Sequence, residues 1–120
     1  MIEYEIQAFG QRIGMDSLQL SPQGIVQLNI DKIGSFFLEV EEKGGGRRLL
    51  AYLSAPLTAH DDTASRRLLE LCDYRKAHPF PLSAGAYSGK GILLTYMDEK
   101  DVTAARIENA LRFLAEMFYE

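Results

Sequence analysis

Apolar residues near the start of the chain recur at helical spacing. Ile2, Ile6, Phe9 and Ile13 are separated by four, three and four positions, with mostly polar side chains between them. This spacing places the four side chains on one stripe of an amphipathic helix. Gly14 comes directly after the last of them and predicts the C-terminal stop of that helix.

The hydrophobic period then changes from that of a helix to that of strands. Residues 26–30 alternate apolar and polar side chains, which is typical of a strand with one solvated face. Two more strands are predicted over 35–42 and 47–53, and the glycine-rich stretch 43–46 reads as their hairpin connection. Three consecutive strands with short connections predict an antiparallel meander.

A second helix is predicted in the middle of the chain. Asp62 or Thr63 is a suitable N-cap, and the apolar residues that follow continue to about residue 77. The sequence His-Pro-Phe-Pro at 78–81 ends this helix, because proline lacks a backbone donor and restrains the residue before it.

The last third predicts two strands and a final helix. The strands fall over 81–87 and 92–97, and Asp98, with Asp101 three residues later, is predicted to open the helix. The element order is therefore α-β-β-β-α-β-β-α. Runs of strands separated by single helices favour the α+β class, with one antiparallel sheet flanked by three helices in a single domain over 1–120.

Several strands are apolar on both faces. Phe36 and Phe37 are adjacent in a strand, so they point to opposite faces, and one of them must face away from the core side of the first strand. In the third strand, Leu50 and Tyr52 likewise lie on the face opposite to the other apolar residues. Strands of this kind need cover on both sides. Three short helices cover one face and part of the other. Either a second copy of the chain covers the remaining apolar surface, or some of that surface is kept for a different partner. The two explanations are compatible.

Composition and charge argue against nucleic-acid binding. The 120-residue chain has 13 basic and 17 acidic side chains, for a net charge of -4. Its densest basic pairs, Arg47-Arg48 and Arg66-Arg67, are too small for the concentrated patch that nucleic-acid binding demands. A chain this small buries a limited share of its surface, so pairing with a second copy would add stability.

The sequence points to the cytosol. Cys72 is the single cysteine, so no internal disulfide forms, and a reducing compartment is the simpler expectation. Glu3 and Glu5 stand where a signal peptide would carry positive charge. Apolar runs stay far below the ~20 residues that span a bilayer, so no membrane insertion is expected.

The sequence holds only weak candidates for catalytic, metal and cofactor motifs. The glycine-rich stretch 85–91 leads into a strand, whereas a phosphate loop opens a helix. His60 with its two following aspartates lacks enough converging ligands, since only His78 remains as a second imidazole. Cys72 lies among leucines and is better explained as a buried hydrophobe than as a nucleophile. We therefore predict no enzyme, no metal and no cofactor.

The whole chain resembles the class I type III secretion chaperones of the CesT, or Tir chaperone, family. The residues that carry the resemblance lie in the first helix, the first three strands, the middle helix and the last helix: Phe9, 18–20, 24–31, 34–40, Tyr52-Leu53, Pro56, 68–72 and 105–118. The small size and acidic charge match as well.

The resemblance implies a cytosolic bacterial homodimer that binds the extended N-terminal segment of a secreted effector without ATP. Transferred to this sequence, the dimer contact falls on Leu68, Leu71, Cys72 and Arg75, with help from Leu93 and Thr95. For effector binding we expect the first helix and outward strand residues, namely Ile2, Ile6, Phe9, Phe37, Leu50 and Tyr52. Open alternatives are a heterodimer, a YbjN-like sensor or regulatory domain, and a small enzyme using His60 or Cys72.

Overall fold

The computed structural model describes residues 2–15, 18, 20–56, 80–87 and 89–119. Its elements in chain order are α1 (Ile2–Arg12), β1 (Ile25–Ile30), β2 (Gly34–Lys43), β3 (Gly46–Pro56), β4 (Ser83–Tyr87), β5 (Lys90–Asp98), a 3₁₀ helix (Glu99–Asp101) and α2 (Ala104–Tyr119). The middle helix predicted over 63–77 lies outside the described residues.

The five strands form one antiparallel sheet in the order β1-β2-β3-β5-β4. The predicted meander of the first three strands is confirmed, as is the α+β class. Strand β5 pairs with β3 and carries β4 on its other side, so β1 and β4 are the edge strands.

The connection between β2 and β3 is tighter than the sequence predicted. Lys43 and Gly46 are paired, which leaves a two-residue turn of Gly44 and Gly45. Both glycines have positive φ, 59° and 82°. A two-residue turn with both φ values positive matches the right-handed twist of the flanking strands, and glycine adopts it without steric cost.

Both described α-helices pack on one face of the sheet. The apolar stripe of α1 is fully buried there, and the ring of Phe9 meets the ring of Phe36 edge-on, with centroids 6.3 Å apart. From α2 the stripe of Ile107, Ala110 and Leu114 enters the same core. We call this the core face; it receives alternate residues from every strand, as the two-residue period of a strand requires.

Polar contacts join the first helix to the last. Arg12 of α1 forms an ion pair with Glu108 of α2, with 2.8 Å between Nε and Oε1. The Glu5 carboxylate accepts a hydrogen bond of 2.9 Å from the backbone N–H of Ala104. That N–H is one of the unpaired donors at the start of α2, so α1 supplies part of the cap for the last helix.

Arg47 of β3 ties three elements together. Its guanidinium contacts Glu3 of α1 and Glu99 of the 3₁₀ helix, each at 2.7 Å. The hydrogen bonds that Arg47 donates lower the pKa of the Glu3 carboxyl to about 2, and donating to the two carboxylates raises the pKa of Arg47. The N-terminal turn of α1 is therefore held against one end of the sheet.

The start of the last helix differs from the prediction. Asp98 precedes the 3₁₀ helix and makes no side-chain capping bond, so its assignment as the cap of the last helix was wrong. Val102 has extended backbone and is buried, and this break separates the 3₁₀ helix from α2. Thr103 is the actual N-cap, because its Oγ1 accepts a hydrogen bond of 3.1 Å from the backbone N–H of Arg106.

Thr95 offers a test of core packing. It is fully buried beside apolar residues, and its hydroxyl has no hydrogen-bond partner among the described residues. Thr95→Val is expected to raise the free energy of unfolding by about 1 kcal/mol, because it removes an unsatisfied buried hydroxyl. Thr103→Val is the matched control and is expected to lower it by about 1 kcal/mol. Urea unfolding measures both; a loss of stability in Thr95→Val would show that the hydroxyl is satisfied.

Candidate protein-binding surface

The second face of the sheet, which we call the outer face, carries a mixed aromatic and aliphatic surface. Neither α1 nor α2 packs on it, since the buried stripes of both helices belong to the core on the other side. Strand register brings its central residues together across β1, β2, β3 and β5: Ile25, Gln27, Phe37, Glu39, Leu50, Tyr52, Leu94 and Tyr96.

A stacked aromatic pair occupies the middle of this face. Phe37 and Tyr52 are directly paired across β2 and β3, and their rings lie nearly parallel, 13° apart with centroids separated by 4.8 Å. The Tyr52 hydroxyl donates a hydrogen bond of 3.2 Å to Glu39. Burial, followed by the charge of Glu39 and this hydrogen bond, raises the pKa of Tyr52. The phenol therefore stays protonated at neutral pH.

A second aromatic group lies one row further along the sheet. The guanidinium of Arg48 sits over the ring of Tyr96, 4.6 Å from its centroid. The same arginine forms an ion pair of 2.8 Å with Glu41 on the neighbouring strand. Aromatic ring, arginine and carboxylate thus form a complete triad within the chain.

The outer face grades from apolar to polar. Leu50 is buried yet stands outside the core cluster, because its side chain belongs to this face. At the β1–β2 end, Asn29 Oδ1 accepts hydrogen bonds from Ser35 at 2.9 Å and from Gln27 at 3.3 Å. An apolar centre with a hydrogen-bonding margin is the composition expected of a protein contact.

An open depression of about 690 Å³ extends the outer face beyond Arg48 and Tyr96. It lies at the hairpin end of the sheet and is lined by Gly44, Gly46, Arg47, Arg48, Tyr96, Asp98, Glu99 and Lys100. Both of its arginines are already held by carboxylates. The depression therefore adds area to the surface, with Lys100 as a lining cation outside these ion pairs.

Three of the predicted effector-binding residues are brought together. Phe37, Leu50 and Tyr52 all lie on the outer face, within two neighbouring strands. Alternation along each strand was sufficient to place them on a common side.

The other three predicted effector-binding residues belong to the core. Ile2 and Phe9 are 0% exposed and Ile6 is 1% exposed, so as folded they have no surface to offer a partner. Their amphipathic stripe packs against the sheet, since helix α1 covers the core face with it. They therefore lie outside the proposed site.

The predicted dimer residues divide into two groups. Leu93 and Thr95 are fully buried on the core face, which removes them from any contact with a second chain in this fold. Leu68, Leu71, Cys72 and Arg75 lie outside the described residues, as do His60 and His78.

Sequence reasoning did not assign Glu39, Arg48, Leu94 or Tyr96 to the site. The alternation in β5 indicated that Leu94 and Tyr96 face away from the core, but only the register of β5 against β3 shows what they adjoin. The register likewise brings Arg48 to Tyr96.

In the described part of the chain, no group of three or more His, Cys, Asp or Glu side chains is arranged to hold a metal ion. Neither of the two α-helices described has the length and apolarity that crossing a bilayer requires.

An antiparallel sheet with helices on one face and a half-buried aromatic surface on the other defines a small α+β domain suited to binding proteins. The family model for the type III secretory system chaperone SycN matches residues 1–120. The chain therefore belongs to this family of type III secretion chaperones, and the predicted resemblance is confirmed. Among curated proteins, no sequence match is found.

Solved structures share the fold. A chain of the ExsC-ExsE complex superposes with a TM-score of 0.78 at 23% identity, over 98% of this chain and 88% of that one. A chain of the HopA1-SchA chaperone-effector complex gives 0.76 at 16% identity, over 96% and 88%. A chain from the Yersinia pestis complex of the secretion chaperone SycH with a fragment of YscM2 gives 0.66 at 14% identity, over 98% and 99%.

Proposed function

We propose that this chain binds an extended segment of a secreted protein in the bacterial cytosol and keeps that protein competent for type III export. The observation that carries the proposal is the outer face, on a chain whose family is that of type III secretion chaperones. Holding a segment in this way makes and breaks no covalent bond, so the proposed role is non-enzymatic and needs no ATP or other cofactor.

The outer face suits an extended partner better than a folded one. Its apolar side chains form a strip across four strands. An extended peptide presents alternate side chains to such a strip, and its backbone can also pair with an edge strand such as β1. Ordering the peptide costs free energy, so a long contact is needed for useful affinity.

We also propose that the working unit contains two copies of the chain. With Leu93 and Thr95 buried in the core, the proposed contact rests on Leu68, Leu71, Cys72 and Arg75. A pair with a different small chaperone is the alternative that the sequence leaves open.

The test combines capture with a paired substitution on the outer face. The tagged chain is expected to retain a secreted protein through a protease-sensitive N-terminal segment when isolated from its bacterium under secretion-inducing conditions. Replacing both Phe37 and Tyr52 by serine is expected to weaken binding of that segment by about tenfold or more, because stacked aromatics are typical hot spots. Fluorescence polarisation with the labelled segment gives the affinity.

The matched control replaces Ser54 by alanine, since Ser54 lies two positions from Tyr52 on the same face of β3 and outside the hydrogen-bonded margin around Asn29. The affinity of this variant is expected to stay near that of the unchanged chain. Recovery of only folded cytosolic partners would favour a regulatory domain instead. Unfolding of the Phe37 and Tyr52 double variant would show that the two rings are needed for the fold, and the assignment of a binding role would fail.

A further inference from the structure

The outer face holds two aromatic groups with a carboxylate beside each, and the described part of the chain supplies a cation to only one of them. At Tyr96 the chain's own Arg48 lies over the ring at 4.6 Å and pairs with Glu41 at 2.8 Å. At the Phe37–Tyr52 stack, Glu39 accepts a hydrogen bond of 3.2 Å from the Tyr52 hydroxyl. Among the described residues, Glu39 forms no ion pair.

The stack presents what a guanidinium group requires. A planar cation gains from lying over an aromatic face and from donating two parallel hydrogen bonds to a carboxylate. The Phe37–Tyr52 stack is nearly parallel, which fixes Tyr52, and the hydroxyl of Tyr52 in turn orients Glu39. Arg48 shows that the same combination accepts an arginine one row away on this sheet.

We propose that the bound segment carries an arginine that docks on Glu39 and the Phe37–Tyr52 stack, between apolar residues of the same segment. This inference rests on the proposed function and specifies one side chain of the bound segment that the outer face recognises. Along an extended peptide, side chains two positions apart point to the same side about 7 Å apart. Apolar residues two positions before and after the arginine therefore reach Ile25 on β1 and Leu94 on β5, which lie on opposite sides of the stack and Glu39.

The test uses two short fluorescein-labelled peptides that alternate serine with leucine. One carries arginine in place of its central leucine, and the other carries citrulline, which keeps the shape of arginine without its charge. The unchanged chain is expected to bind the arginine peptide about tenfold more tightly, the combined contribution of one exposed ion pair and one cation–π contact. In Glu39→Gln, which keeps an acceptor for Tyr52 but removes the ion pair, this preference is expected to fall to about threefold, the contribution of the cation–π contact alone.

Glu42→Gln is the matched control, because Glu42 is exposed on the same strand but three positions away, and so faces the other side. It is expected to keep the preference, and the unfolding midpoint of each variant verifies that the fold is intact. Equal binding of the two peptides by the unchanged chain, or an undiminished preference in Glu39→Gln, overturns this inference and leaves the proposed function standing. Binding of neither peptide also overturns this inference, while the capture of a secreted protein decides the proposed function separately.

Discussion

Replacing Phe36 by alanine is expected to lower the free energy of unfolding by about 3–5 kcal/mol. The ring is fully buried at the centre of the core face and meets Phe9 edge-on. Removing it leaves a cavity that neighbouring side chains fill only in part. A small domain is stable by only about 5–15 kcal/mol, so this change removes a large share of the total. Urea unfolding followed by circular dichroism measures it, at fixed protein concentration because self-association would add to stability.

Phe37→Ala supplies the comparison, since the two phenylalanines are adjacent in sequence and point to opposite faces. It removes a half-buried ring and one aromatic stack, and we expect a loss of about 1 kcal/mol. Equal losses in the two variants would contradict the assignment of faces and, with it, the placement of the binding surface.

Gly34→Ala is expected to cost about 3 kcal/mol or more. Gly34 opens β2 with φ of 142°, a backbone conformation that residues with a side chain rarely adopt. A Cβ at this position would also collide with the carbonyl oxygen of Ser54 on the neighbouring strand. Backbone strain and overpacking therefore add. The unfolding midpoint in urea is the measurement, with an unchanged slope showing that the transition itself is the same.

Gly45→Ala separates these two contributions. Gly45 also has positive φ, 82°, but a Cβ there meets nothing within 4 Å. Only strain remains, and the expected cost is about 1 kcal/mol. If Gly34→Ala lost no more than Gly45→Ala, the close approach of β2 to Ser54 would be refuted.

Sequence periodicity predicted the described elements well, because both periods are imposed by local backbone geometry. The strands alternate where β1, β2, β3 and β5 form, and α1 ends just before Gly14. Boundaries were less accurate where tertiary structure decides them. The start of α2 moved from Asp98 to Thr103 because Val102 is drawn into the core between them.

The candidate site was predicted in part, and the limit is physical. An apolar stripe on a helix looks the same whether it packs on its own sheet or waits for a partner, so Ile2, Ile6 and Phe9 were assigned to the wrong environment. Phe37 and Tyr52 were placed on the correct face because alternation distinguishes the two sides of a strand. Glu39 could not be identified from the sequence, since its proposed role depends on a hydrogen bond from Tyr52, which lies diagonally across from it on the next strand.

The contacts between α1 and α2 also determine when the domain can complete its folding during synthesis. Glu5 meets Ala104, and Arg12 meets Glu108, across more than ninety residues of chain. At about 5–20 residues per second, the ribosome needs roughly 5–20 s to make the chain between them. Throughout that interval the apolar stripe of α1 lacks the last helix that packs beside it. A protein proposed to protect another chain before export therefore has an incompletely covered apolar helix of its own during synthesis.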